Sequence, residues 1–300
     1  MRRPLSREAR QARAGLAFAA PLLVLTLIMV VVPTAGALLL SVTDFDIYAL
    51  GDLDTLRFVG VANYVALAAD PHFWRTVANT LLFAVLGVPA AILTSLGAAL
   101  LIASATVRWK PVWRVLLFAP YITTLVATAV VWRYLLDGRT GLLNYALSLL
   151  GIAPIDWLGT PGTSIPAIVI FVVWKIFGYN MVVFTAALGL VPADLYEAAR
   201  IDGAGAWLRF RHVTLPAIGP ALVLSAVLSV ANFLQIFTEP YVMTHGGPAQ
   251  STETVLYFMF ERGLEYWSLG AASAVAVVLF AAILVLTMLQ ARLARRFEWL

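Results

Sequence analysis

The sequence contains no cysteine, which excludes disulfides, thiolate nucleophiles and cysteine-based metal centres together. Histidine is nearly as scarce. His72, His212 and His245 stand apart in separate polar stretches without metal-ligand spacing, so no metal is expected. The only lysines, Lys110 and Lys175, do not follow a glycine-rich loop, so a phosphate-cradling ATP site is absent and no cofactor is expected on this chain. No long apolar stretch contains His or Cys, which leaves an intramembrane hydrolase without a nucleophile and base; catalytic residues are not expected. Charge is thin as well, at 12% of residues against about a quarter in soluble domains.

What fills the chain instead is apolar: 62% of its 300 residues are hydrophobic. A helix that crosses a bilayer needs about 20 such residues. Six stretches meet that length: Ala14–Val42, Val77–Ala105, Val112–Leu136, Ile165–Leu190, Pro216–Met243 and Ser268–Leu289. The pattern predicts an all-α, polytopic membrane protein with six transmembrane helices. The first run follows Arg2, Arg3, Arg7, Arg10 and Arg13 but is too long for a signal-peptide core, so it reads as an uncleaved span. No repeat or linker divides the chain, and residues 1–300 read as one transmembrane domain.

Orientation follows from the basic residues. With both termini inside, one side holds the five N-terminal arginines, then Arg108, Lys110 and Arg114, then Arg200, Arg209 and Arg211, then Arg292, Arg295 and Arg296. The other side holds only Arg57, Arg75, Arg133, Arg139 and Arg262. The positive-inside rule places the richer side in the cytoplasm. The net charge of +4 is therefore a mark of topology rather than of nucleic-acid binding.

One polar island interrupts the apolar runs, from Asp194 to Pro216 within a loop spanning residues 191–215. Pro192, Asp194 and Glu197 suit the start of a helix, where the dipole favours negative charge. Gly203 and Gly205 supply a cap and a turn, and a second short helix, Trp207 to Val213, is expected to stop before Pro216. On the opposite side Asp44, Asp46, Asp52, Asp54 and Asp70 make an acidic loop. Its Asp70-Pro71 pair is an N-cap and first-turn signal for an interfacial helix. Gly141 to Leu150 reads as a short amphipathic segment, and Trp157 to Gly162 as turns.

The string Glu197-Ala198-Ala199, then Gly203, then Leu215-Pro216 resembles the EAA loop of permease subunits of bacterial binding-protein-dependent ABC importers. Val213 stands where that motif usually has Ile. Further matches cover most of the length: Phe58-Val59-Gly60, Asn63-Tyr64, Asp70-Pro71, Phe73-Trp74, Asn79-Thr80, Gly141 to Tyr145, Trp157-Leu158-Gly159, and Gly246-Gly247-Pro248 with Ser251 to Thr254. Together they are similar to the maltose-type superfamily of sugar and glycerol-phosphate permeases. At His245 the family more often has Gly. The resemblance implies a cytoplasmic coupling helix in which Glu197, Ala198, Ala199, Asp202 and Gly203 meet a dimeric ATP-hydrolysing subunit. That partner would carry the ATP and magnesium. It also implies a second, homologous permease, an extracytoplasmic substrate-binding protein and a place in the bacterial inner membrane.

In the fifth span Ser225, Ser229, Asn232, Gln235 and Glu239 recur at helical spacing and form a polar stripe. Polar groups in a span face the bundle interior or a water-filled path. Tyr179, Asn232, Gln235 and Glu239 are the candidate pathway residues, with Tyr121, Thr124 and Thr128 a weaker stripe in the third span. Lys175 and Glu239 suit either an interhelical ion pair or contact with solute. The leading function is thus transmembrane passage of a sugar or related polar solute by an ATP-driven importer through alternating access. An ion-coupled secondary transporter of a small polar solute is the alternative. Single cysteines at Asp54 and Gln250 are expected to react with an impermeant thiol reagent in intact cells, and one at Asp202 only after permeabilisation. Labelling of Asp202→Cys in intact cells would reverse the orientation.

Overall fold

The computed structural model describes residues 7–48, 56–104 and 106–296. Asp52 and Asp54 of the acidic loop lie outside them. The described chain is helical, and its one β interaction is an isolated antiparallel bridge between Thr43 and Phe58. The helices in order are Arg7–Thr26 (α1), Val32–Leu40 (α2), Ala62–Ala69 (α3), Pro71–Ala103 (α4), Lys110–Ile122 (α5), Leu125–Leu135 (α6), Leu142–Leu149 (α7), Pro161–Gly189 (α8), Ala193–Ile201 (α9), Ala206–Arg209 (α10), Leu215–Ala217 (α11), Gly219–Leu234 (α12), Thr238–Thr244 (α13), Val255–Phe260 (α14) and Leu269–Arg296 (α15).

Among the described residues four segments are long and apolar enough to cross a membrane: Gly15–Leu40, α4, α8 and the bulk of α15. Two bent helix pairs pass the same test only when taken together, α5 with α6 at 97° and Ala206–Ala217 with α12 at 70°. The expected third and fifth spans, Val112–Leu136 and Pro216–Met243, coincide with these breaks rather than with continuous helices. Two π-helical turns, Leu27–Val31 and Phe210–Thr214, each stand just ahead of a proline, Pro33 and Pro216. Proline has no N–H and its ring crowds the carbonyl four residues back, and widening the preceding turn relieves that clash. Hence the second helix of the polar island does not stop before Pro216 but runs through it to Ala217, and the break falls at Ile218.

Residue contacts divide the chain into two units, Met1–Ala69 with Met259–Val278, and Asp70–Phe258 with Leu279–Leu300. In the first, Asn63 Nδ2 donates to the carbonyls of Ser41 (2.9 Å) and Thr43 (2.8 Å), while the Tyr64 hydroxyl meets Ser41 Oγ at 2.7 Å. The first crossing buries none of its apolar window within the chain. Its side chains are left for lipid or another protein.

In the second unit α4 and α8 form the spine. Phe83, Ile168, Phe171, Val172 and Phe233 are fully buried between α4, α8 and α12. Gly87 makes this possible, because the Phe233 ring occupies the space a Cβ would need. Asp70 opens α4 as expected, its carboxylate accepting from the His72 amide at 2.8 Å. It starts the long helix directly rather than a separate interfacial one. The segment between α6 and α8 is organised by buried Asn144 of α7. Its Nδ2 donates to the carbonyls of Asp137, Gly138 and Ile155 at 3.2, 3.0 and 2.8 Å. Its Oδ1 accepts from the Ile155 amide and the Trp157 indole. Next to it the Thr140 amide and hydroxyl and the Arg139 amide all donate to Asp137, holding that carboxyl below its ordinary range.

Candidate functional site: the polar hairpin and the broken spans

The α9 hairpin closes as the glycines predicted. Gly203 takes φ +75°, the Gly203 amide donates to the Arg200 carbonyl at 3.0 Å and the Ala204 amide to the Ala199 carbonyl at 2.9 Å. That pair of bonds satisfies the last carbonyls of α9 and turns the chain sharply. Asp194 lies in the first turn and Arg200 in the last, both favourable to the dipole. The Tyr196 hydroxyl lies 3.1 Å from Thr214 Oγ1, pinning α9 to the base of the following helix.

Of the expected coupling residues, Glu197, Ala198, Asp202 and Gly203 are exposed and Ala199 is half-buried. Among the described residues no ion pair within 4 Å forms at Glu197, so the local partner Arg200 does not neutralise it. Apolar side chains are exposed beside it: Leu195 at 48%, Ile201 at 87% and Trp207 at 65%. An open cleft of about 580 Å³ lies between α9 and α10, lined by Tyr196, Arg200, Trp207, Arg209 and Phe210 among others. The cleft was not foreseen. Its signal was the presence of Tyr196, Trp207 and Phe210 inside an otherwise polar stretch.

Helix α4 is about 50 Å long at 1.5 Å per residue, and the segment following α13 is bound to its first turns. Asn79 Nδ2 donates to the carbonyls of Gln250 and Glu253, both at 2.9 Å, and Arg75 donates to Gln250 Oε1 at 2.9 Å. His72 Nε2 pairs with Glu253 Oε2, and the Val255 amide donates to Thr80 Oγ1 at 3.0 Å. His245 ends α13 at φ +49°. That left-handed conformation favours glycine, a physical reason for the family's preference at this position.

The fifth-span stripe does not survive as one helix face. Helix α12 ends at Leu234, Gln235 leaves the helix and Phe237 is non-helical at φ −142°, so Glu239 belongs to the first turn of α13, where it is buried. Thr254 Oγ1 donates to the Ile236 carbonyl at 2.6 Å and so satisfies the backbone exposed by the break. Ser225 and Ser229 are buried, the latter 3.4 Å from Asn180 Nδ2 of α8, an amide that sequence spacing did not single out. Asn232 and Gln235 are different: both are exposed, and the side-chain amide of neither bonds a described residue. Tyr179 stacks on Tyr121 with ring centroids 5.1 Å apart. Thr128 Oγ1 donates to the Thr124 carbonyl at 2.7 Å, so the third-span stripe is in part internal back-bonding.

Lys175 is bonded by groups that sequence spacing did not single out. Among the described residues no ion pair within 4 Å joins it to Glu239. Its Nζ instead donates to the carbonyls of Pro120 (2.7 Å), Tyr121 (3.4 Å) and Thr123, and to Thr123 Oγ1 (2.8 Å). The ammonium sits on the break between α5 and α6.

Residues 66–299 match the family model described as binding-protein-dependent transport system inner membrane component. The chain is 34% identical over 278 residues to the sulfoquinovosyl glycerol transport system permease protein SmoG of Agrobacterium fabrum, covering 92% of this chain and 88% of that one. It is 31% identical over 289 residues to the trehalose/maltose transport system permease protein MalF of Thermococcus litoralis, covering 95% of each. In fold it is similar to a chain of a bacterial ABC transporter involved in the import of the acidic polysaccharide alginate, with a TM-score of 0.80, 22% identity and coverage of 97% and 98%. If Asn232 and Gln235 face a water-filled path, replacing either with Leu is expected to cut uptake at least several-fold while the subunit still assembles. Unchanged uptake in both variants would assign the two amides to packing.

Proposed function

This chain belongs to the family of inner membrane components of binding-protein-dependent transport systems, and on that premise we propose that it is the transmembrane subunit of an ATP-driven importer of a sugar or sugar-like solute. Each bent helix pair is then one broken crossing, giving six spans with both termini in the cytoplasm, in keeping with the asymmetry of Arg and Lys. The names of the two relatives, a sulfoquinovosyl glycerol permease and a trehalose/maltose permease, support the solute class. Exposed amides at Asn232 and Gln235 and the Tyr121–Tyr179 stack are of the types that hydrogen-bond and stack on sugar rings.

The observation that carries the coupling role is the rigid, solvent-facing α9 hairpin. It is closed by two backbone bonds, pinned by Tyr196, and presents Glu197 unpaired beside exposed Leu195 and Ile201. An ATP-hydrolysing dimer docked on Glu197, Ala198, Ala199, Asp202 and Gly203 would move this hairpin as a lever, and the spans would alternate between outward and inward openings. A homologous second permease covers the first crossing, whose apolar side chains find no cover within the chain, and an extracytoplasmic binding protein delivers solute to the end where the α13–α14 segment is bound to α4.

A lone surface carboxylate is nearly neutral to stability, exposed pairs amounting to about 0–1 kcal/mol. Removing a charge buried against a basic partner at an interface costs roughly 2–5 kcal/mol. Glu197→Ala is therefore expected to leave expression normal and to lower both solute-stimulated ATP hydrolysis and uptake, together with at least a tenfold loss of affinity for the ATPase. Gly203→Pro, which breaks the turn, is expected to act alike. Full affinity and full coupling in the Glu197→Ala complex would remove this residue from the interface.

A further inference from the structure

We propose that Lys175 is a tethered cation: its ammonium fills a carbonyl-lined cation site created by the α5–α6 break and thereby positions that break. The contacts argue for it one by one. Three of the four oxygens around Nζ, those of Pro120, Tyr121 and Thr123, are backbone carbonyls, which only accept hydrogen bonds. The nitrogen must donate to each, which calls for the three N–H groups of an ammonium. These carbonyls leave the regular helical ladder because α5 ends at Ile122 and the next two residues are extended, with ψ of 151° at Thr123 and 131° at Thr124; that of Pro120 also accepts from the Thr123 amide and hydroxyl. They also form the negative end of the α5 dipole.

The face of α8 that carries Lys175 is shaped for this task. Gly178 and Tyr179 follow at i+3 and i+4 and so share its face. At Gly178 a Cβ would run into the Leu117 carbonyl and come within 2.9 Å of Phe118 Cα, so the α5 and α8 backbones are in contact there. Tyr179 stacks on Tyr121 at the end of α5. Close backbone approach, ring stacking and the ammonium thus act together on the end of α5 and its break, from Leu117 to Thr123. Broken membrane helices in ion-coupled carriers use such carbonyls and helix ends to coordinate a mobile cation. Here a side chain of the protein takes that place, which removes the most suitable coordination site for a coupling ion.

The test needs no knowledge of the solute and is independent of the transport reading: hydrogen exchange of backbone amides in the full chain in lipid nanodiscs. Lys175→Met keeps the stem and removes the charge, and amides over Thr123–Ala129 are expected to exchange about tenfold faster, the scale of one lost charged hydrogen bond. Amides in the middle of α4 are expected to be unchanged. In Lys175→Ala, added propylammonium chloride is expected to restore protection at the break, whereas propan-1-ol, of similar shape but neutral, is not. Wild-type exchange in the Met variant, or equal rescue by the alcohol, would overturn the proposal. If neither variant accumulates, Thr123→Val decides: it keeps the ammonium and removes one of its acceptors together with the hydroxyl's bonds to the Pro120 carbonyl and Thr128, and exchange faster by at least about threefold is expected. No change there would overturn it as well.

Discussion

Inside a bilayer no water stands ready for a free carbonyl or amide, so every break in a membrane helix has to be completed by a group from elsewhere in the protein. Much of this chain follows from that constraint. Lys175 completes the break between α5 and α6, and Thr254 reaches the Ile236 carbonyl where α12 gives way to α13. The same device recurs with side-chain amides: Asn63 on Ser41 and Thr43, Asn79 on Gln250 and Glu253, Asn144 on Asp137, Gly138 and Ile155. Each is one polar side chain holding two or three backbone groups of a segment remote in sequence. Loss of any one leaves several acceptors unsatisfied, which is why a single amide can fix a whole loop.

Those side chains are also the ones that carry the family likeness. Asp70-Pro71 and Asn79-Thr80 on α4, and Gly246-Gly247 with Ser251 to Thr254 after α13, read as separate motifs along the chain. In the fold they are the two sides of one hydrogen-bonded junction. Gly246 belongs to it sterically, since a Cβ there would lie 2.6 Å from the Glu253 side chain. The junction sits at one end of α4 and the α9 hairpin near the other, where Leu100 of α4 lines the cleft with Tyr196. The 33-residue helix α4 therefore joins the junction to the hairpin.

Local signals were legible in the sequence wherever their cause is local. The Asp70 cap, the glycine turn after α9, the amphipathic α7 and the existence of the apolar crossings all rest on residues within a few positions of one another. The breaks were not legible. Nothing within Pro120–Thr124 shows that its carbonyls have a donor, because that donor is fifty-odd residues away on α8. For the same reason the stripe from Ser225 to Glu239 was extended past Leu234 as one helix face, when Thr254 makes an interruption at Ile236 tolerable. Lys175 was rightly singled out as an uncommon charge in a span, yet its partners are backbone oxygens, which carry no identity in a sequence.

On the proposed reading this chain converts ATP hydrolysis on a partner into movement of its own spans, with no ion gradient involved. Its two embedded charges support that view: Lys175 is spent on the α5–α6 break, and Glu239 is buried in the first turn of α13. The direct measurement is uptake of the solute recognised by the cognate binding protein into proteoliposomes containing the assembled complex, with sodium and proton gradients collapsed. Uptake that requires both ATP and the ATPase subunit is the result predicted. Uptake by the permease subunits without ATP, driven by either gradient, would contradict it.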